Sequence, residues 1–225
     1  MNVAIVTGAS RGLGLALTRQ LVTRGWRVVV DARDGAALSE ATEHLGAVVP
    51  VAGDVTDARH RADLVAAAGD TIHLVVNNAS ALGPSPRPAL VDYPVDELRR
   101  VYDVNVLAPM ALVQEAFPKL SANAAILNIS SDAGVEPYEG WGGYGSSKAA
   151  LDHLTAVLAV ERPHLRVYAV DPGDMRTQMQ QEAFPGEDIS DRPPPDDSVP
   201  GLLALIDGSQ PSGRYQAREL ARARR

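Results

Sequence analysis

Val3-Ala4-Ile5-Val6-Thr7-Gly8-Ala9-Ser10-Arg11-Gly12-Leu13-Gly14-Leu15-Ala16-Leu17 carries a short apolar run through a glycine-rich turn into residues with helical apolar spacing. A strand, a tight turn and a helix in that order make a phosphate cradle. The glycines let the backbone turn and approach a pyrophosphate, and the helix start offers unpaired N–H groups and a partial positive charge. The same stretch contains Gly8-Ala9-Ser10-Arg11-Gly12, a match to the G-x-S-x-G elbow of serine hydrolases. That elbow ordinarily follows several strands and an oxyanion-hole loop, whereas only seven residues precede Gly8.

Outward from this turn, Val/Ile-rich runs at 3–6, 27–30, 47–51, 72–76, 124–129 and 165–170 alternate with Ala/Leu/charged stretches. The alternation predicts an α/β fold: one Rossmann-like, doubly wound parallel sheet with helices on both faces, over residues 1–225 as a single domain. Its ligand crevice belongs at the carboxyl ends of the strands. Residues 94–118 read as one long helix, with Pro109 as a kink. The Pro- and Asp-rich segment 173–201 reads as a loop, either a lid or a solvated excursion. Gly213-Arg214-Tyr215-Gln216 reads as a last strand, and 218–225 as a frayed basic tail.

Composition narrows the function. A formal charge of -7 argues against a sequence-independent grip on nucleic acid or an anionic membrane. With no cysteine there are no disulfides, thiolate metal sites or thiol nucleophile, and the five histidines lack metal-ligand spacing, so no metal is expected. No apolar run approaches the length of a membrane span and no leader is evident, so the cytoplasm is the expected location.

A second constellation carries chemistry. Tyr144-Gly145-Ser146-Ser147-Lys148 opens a helix-like stretch, and Ser131 stands thirteen residues before the tyrosine. Residues i and i+4 share a helix face, about 5–6 Å apart. At an effective dielectric near 20, a lysine there attracts a phenolate by on the order of 3 kcal/mol, about two pKa units off a reference near 10. Taken alone, such a pair is a common surface feature.

Thr7-Gly8, Gly12 and Gly14, followed in order by Asn77-Asn78-Ala79, Asn105, Ser131, Tyr144/Lys148 and Pro172-Gly173, resemble the short-chain dehydrogenase/reductase family over roughly residues 3–178. The resemblance implies an oxidoreductase in which Tyr144 exchanges a proton with the substrate oxygen, Ser131 holds that oxygen, and Lys148 lowers the tyrosine pKa and binds the nicotinamide ribose. Asn105 would distort the long helix and hold a proton-relaying water. It implies NADP(H) contacts at Gly8, Ser10, Arg11, Gly12, Leu13, Gly14, Arg33, Asp54, Val55, Asn77, Ala79, Tyr144, Lys148, Pro172, Gly173, Met175 and Thr177. Arg11 and Arg33 stand where NADP-preferring members carry arginine, while Asp31 leaves NAD(H) open as the alternative. Ser80 replaces the family's usual glycine.

Ser131, Tyr138, Trp141 and Tyr144 are the expected substrate contacts, with Met175, Met179 and Phe184 as further candidates for an apolar pocket. Asp174 reads as a cap of the next turn or as an orienting acid. The implied partner is a small carbonyl or alcohol substrate, and the implied assembly a homodimer or homotetramer. The alternatives are an NAD-dependent alcohol dehydrogenase, or a cofactor-binding sensor or scaffold without turnover.

Overall fold

Strands form where β-branched residues run with little charge, at β1 (Val3–Val6), β2 (Arg27–Ala32), β3 (Val48–Ala52), β4 (Ile72–Asn77), β5 (Leu120–Ile129), β6 (Arg166–Asp171) and β7 (Gly213–Gln216). A computed structural model describes residues 1–208 and 210–223. The strands pair in the order β3-β2-β1-β4-β5-β6-β7, every pair parallel. Parallel strands need crossovers, and helices supply them on both faces.

On one face α1 (Gly12–Thr23), α2 (Gly35–Thr42) and α8 (Val199–Asp207) bury Leu13, Leu17, Leu21, Leu38, Leu202 and Leu205 against Val6, Val28, Val30 and Tyr168. On the other, α3 (Ala58–Ala68), α5 (Ala108–Ala116) and α6 (Gly142–Glu161) cover Ile5, Val29, Val75 and Ile126. The order reverses between β1 and β4, so the loops after them flank the crevice.

Three expectations change. The helix over 94–118 is not continuous: α4 (Val95–Tyr102) passes into a π-helical turn, Asp103–Leu107, before α5 begins. Pro109 follows this turn, in the first turn of α5. Segment 173–201 is partly regular, with α7 (Gln178–Ala183), a 3-10 turn at Pro195–Asp197 and the start of α8. The tail is not frayed over its described part. Residues 217–223 form α9 (Ala217–Ala223), whose Ala217 is fully buried against the α1/α8 core. Arg224 and Arg225 lie outside the described residues.

Candidate active site

The turn after β1 is built almost wholly from main chain. Gly8 and Gly12 adopt φ of 68° and 59°, the left-handed region. A Cβ on Gly14 would lie 2.5 Å from the Gly8 carbonyl oxygen, so α1 can close onto the turn only with glycine there. Thr7 Oγ accepts from the backbone N–H groups of Asn78 and Ala79, both at 3.0 Å. The Asn78 amide donates to the carbonyls of Thr7 (2.8 Å) and Gly8 (3.0 Å). No side chain caps α1, so its leading N–H groups are offered to an anion. This cradle fits a dinucleotide pyrophosphate.

Asp31, the acid that left NAD(H) open, lies inside the protein. It is buried beneath the turn, where it accepts from Gly8 N at 2.6 Å and pairs with buried His60 Nε2 at 3.0 Å. With both oxygens occupied inside the protein, it is a brace for the turn and not a ribose-facing acid. Arg33 is exposed beyond β2, near Asp54. Burial raises the Asp54 pKa, but bonds from Thr56 and the charges of Arg33 and His60 outweigh it and hold the carboxyl below its usual range. Val55 lies beside it, its carbonyl accepting from Arg61 at 2.9 Å. Arg11 points instead to Gln178 on α7, with which it hydrogen-bonds.

Asn77 departs from its expected role as a cofactor contact. Its amide donates to Asn128 Oδ1 (2.7 Å), and Asn128 donates to Thr155 Oγ (2.8 Å), a buried chain from β4 through β5 to α6. Because strand side chains alternate faces, Asn77 turns inward and Asn78 takes the turn.

Tyr144 and Lys148 stand in the first two turns of α6, with Lys148 Nζ 5.4 Å from the phenol ring centre. Both are buried, at 9% and 2% exposure. A Cβ on Gly145 would lie 2.5 Å from the Ala133 carbonyl oxygen, so this glycine lets α6 approach the Ser131 turn closely. Burial pushes the Tyr144 phenol above its ordinary value; hydroxyls of Ser80 and Ser131 pull it back, while Asp171 and Asp132 push it further up. In the protein alone, desolvation therefore outweighs the lowering expected from Lys148. Burial likewise drives Lys148 down to about 8, opposed by Asp152. Its Nζ donates to the Ile129 carbonyl at 2.7 Å.

Ser131 caps the turn Asp132–Gly134 and donates to Asp132 Oδ1 at 2.9 Å. Its neighbour Ser130 is buried, with its hydroxyl unpartnered. Asn105 sits in the π-helical turn. Its Oδ1 accepts from Ser80 Oγ (3.0 Å) and Ala81 N (2.7 Å), and its Nδ2 donates to Ala81 O and Ser147 Oγ, both at 2.9 Å. The side chain is saturated, so a water relay at Asn105 would have to use its backbone carbonyl.

Across β6, Gly173 takes φ 75° and donates to Asp171 Oδ1 at 2.8 Å, with Pro172 before it. Thr177, not Asp174, caps α7, and its methyl lies 3.6 Å from where a Gly12 Cβ would be. Asp174 instead accepts from Gln180 at 3.3 Å. Leu82, Ala133, Tyr144 and Ala183 form an apolar cluster joined by Trp141, Met179 and Phe184. Trp141 meets Tyr144 edge-on at 5.7 Å. Two expected lining residues stand apart: Met175 packs on the main core, and Tyr138 is exposed and donates to Asp132 at 3.1 Å. Sequence reading missed Arg87, which stacks over Trp141 at 4.0 Å and beside Phe184 at 4.9 Å, at the edge of a cleft of about 340 Å³.

The family model for short chain dehydrogenases matches residues 2–188. The chain belongs to that family. As a short-chain dehydrogenase it is an oxidoreductase with a nucleotide-binding Rossmann fold, and Ser10 lies in its nucleotide turn and not in a hydrolase elbow. Among its relatives, tropinone reductase-like 3 of Erythroxylum coca is 35% identical over 200 residues, 84% of this chain and 75% of that protein. Sepiapterin reductase of Meriones unguiculatus is 36% identical over 201 residues, 80% of this chain and 77% of that protein. A short chain dehydrogenase of Shigella flexneri 2a, solved in complex with NADP, superposes with a TM-score of 0.89 at 26% identity, covering 96% of this chain and 97% of that one.

Proposed function

We propose that this short-chain dehydrogenase is an NADP(H)-dependent carbonyl reductase, or alcohol dehydrogenase in the reverse direction, acting on a small ketone or aldehyde at Ser131, Tyr144, Lys148 and Asn105. The observation that carries the reading is the buried Tyr144 phenol, within reach of Ser80 and Ser131 hydroxyls and sharing a helix face with buried Lys148. NADP(H) is favoured because Asp31 is consumed beneath the turn while Arg33 stays exposed at the ribose end. Reductases among the relatives, and a neighbour solved with NADP, support the same choice.

Bound in the cradle, the cofactor would supply or accept hydride. Everything else falls to this chain. Ser131 Oγ fixes the substrate oxygen, and Tyr144 gives it a proton on reduction or takes one on oxidation. Burial keeps the phenol protonated, so it holds the proton to be given, and Lys148 offsets the cost of the phenolate left behind. Asn105 holds the 80–81 loop against α6, which fixes Ser80 near the phenol. Leu82, Trp141, Met179 and Phe184 keep water from the reacting carbon and favour an apolar substituent. Assembly as a homodimer or homotetramer is part of the proposal, because Leu107, Val157 and Val160 leave apolar surface exposed.

The test is titration of NADPH and NADH into the protein, followed by turnover with a panel of ketones and aldehydes. Tighter NADPH binding that Arg33→Asp abolishes is expected. Tyr144→Phe should lower kcat by about 1,000-fold with a far smaller change in NADPH affinity. If neither nucleotide binds, the reading is refuted.

A further inference from the structure

Arg214 projects from β7, the edge strand, into the back of the catalytic cluster. Its Nε meets Asp152 Oδ2 at 3.0 Å, and its Nη2 donates to the Ser131 carbonyl at 2.9 Å and stands 3.8 Å from Asp171 Oδ2. These three acceptors come from three separate segments: the turn after β5, helix α6 and the end of β6. They are the segments that carry Ser131, Lys148 and the Pro172-Gly173 turn. A tie whose only work was to hold the edge strand would need one of them. Convergence on all three is what a guanidinium fork allows and a simple ammonium does not.

We infer that Arg214 is a positioning residue for the reaction, holding the Ser131 backbone in place and, through Asp152, setting the charge balance around Lys148. Asp152 lies one helical turn beyond Lys148, on the same face of α6. Its Oδ1 is buried with no hydrogen-bond partner, so the guanidinium on Oδ2 is the contact that compensates this carboxylate. Asp152 strengthens the hold of Lys148 on its proton, against the desolvation that weakens it. Asp171 carries the second half of the effect: burial and Asp132 raise its pKa, while Gly173 N, Arg214 and Arg218 lower it. Asp171 and Asp132 are also the acids that push the Tyr144 phenol up, opposed by Ser80 and Ser131. One cation thus balances two acids, one acting on Lys148 and the other on Tyr144.

The signs follow from the charges. Removing Arg214 leaves Asp152 without its guanidinium and Asp171 with only Gly173 N and Arg218, so Lys148, which faces Asp152, becomes more basic. Removing the Asp152 charge makes Lys148 less basic. A lysine at 214 keeps the charge but loses the fork.

This inference rests on the reading of Ser131, Tyr144 and Lys148 as the reacting site, yet it can be tested without turnover. The chain has only two lysines, Lys119 and Lys148. Lysine-labelled protein without cofactor therefore gives two side-chain NMR signals, and Lys119, at the opposite end of β5, serves as the internal control. Wild-type Lys148 should titrate at about 8. In Arg214→Gln the midpoint should rise by about half a pH unit or more, in Asp152→Asn it should fall by a similar amount, and in Arg214→Lys, where the new lysine adds a third signal, that of Lys148 should stay near wild type. Turnover of Arg214→Lys should drop about fivefold in kcat, with little change in NADPH affinity, because the Ser131 carbonyl loses its side-chain donor and keeps only the Gly134 N–H at 3.1 Å. An unmoved Lys148 midpoint in folded Arg214→Gln, or shifts of the same sign in Arg214→Gln and Asp152→Asn, would overturn the electrostatic part. Unchanged kcat in Arg214→Lys would overturn the Ser131 part. If wild type turns over no carbonyl, the functional reading fails by itself, and the NMR titration still judges Arg214.

Discussion

The turn after β1 is held by main-chain groups, with Thr7, Asp31 and Asn78 bonded to backbone atoms, whereas the wall beside Tyr144 is held by side chains stacked on one another. In the first region these three side chains grip main-chain N–H and C=O groups, so the backbone path, set by the glycines, decides the shape. In the second, Arg87, Trp141, Met179 and Phe184 meet from distant parts of the chain, and each can be exchanged without disturbing the sheet. A rigid cradle for a common cofactor faces a replaceable wall for a particular substrate, which is how one fold serves many substrates.

Mutations should separate the two regions. The largest effect is expected at Gly14→Ala, where the added Cβ would sit 2.5 Å from the Gly8 carbonyl oxygen. NADPH affinity should fall by about 100-fold or more in fluorescence titration, because the helix start can no longer close on the turn. A Gly14→Ala protein that binds NADPH normally would break the claim that this region is rigid. Asp31→Ala comes next. It leaves the Gly8 N–H without its acceptor, a loss on the order of 1–3 kcal/mol, so NADPH binding should weaken about tenfold and Tm should fall. A selective loss of NADH binding on the same substitution, with NADPH binding kept, would instead return Asp31 to the ribose. The smallest effect is expected at Trp141→Ala. KM for bulky apolar carbonyls should rise about fivefold, while NADPH affinity stays put. Equal losses for cofactor and substrate would show that the wall is part of the cradle.

The same contrast explains what could be read from the residues alone. The strand runs, the phosphate turn, and the grouping of Ser131, Tyr144 and Lys148 depend on spacings of a few residues, and hydrophobic period and glycine placement record those directly. Asn105 was legible as a helix distortion, and the π-helical turn at Asp103–Leu107 is that distortion. Asn77 was misplaced because a motif gives the order of residues and not which face of a strand each one takes. Asp31 and His60, 29 residues apart, and Arg214 and Ser131, 83 apart, leave no local signal, since either member looks like an ordinary surface charge until the sheet brings them together. The direction of the Tyr144 pKa was missed for a related reason: helix spacing reveals the lysine, but burial depends on the whole cluster around it.

The strand order also dictates a timetable for synthesis. β1, β2 and β3 emerge first, but the turn after β1 is latched only when Asn78 and Ala79 follow β4 out of the ribosome. The serine turn waits much longer, because its brace at Arg214 sits on β7, far later in the chain than β4. The two regions are thus completed at different points in the chain, the phosphate turn once β4 is made and the serine turn only once β7 is.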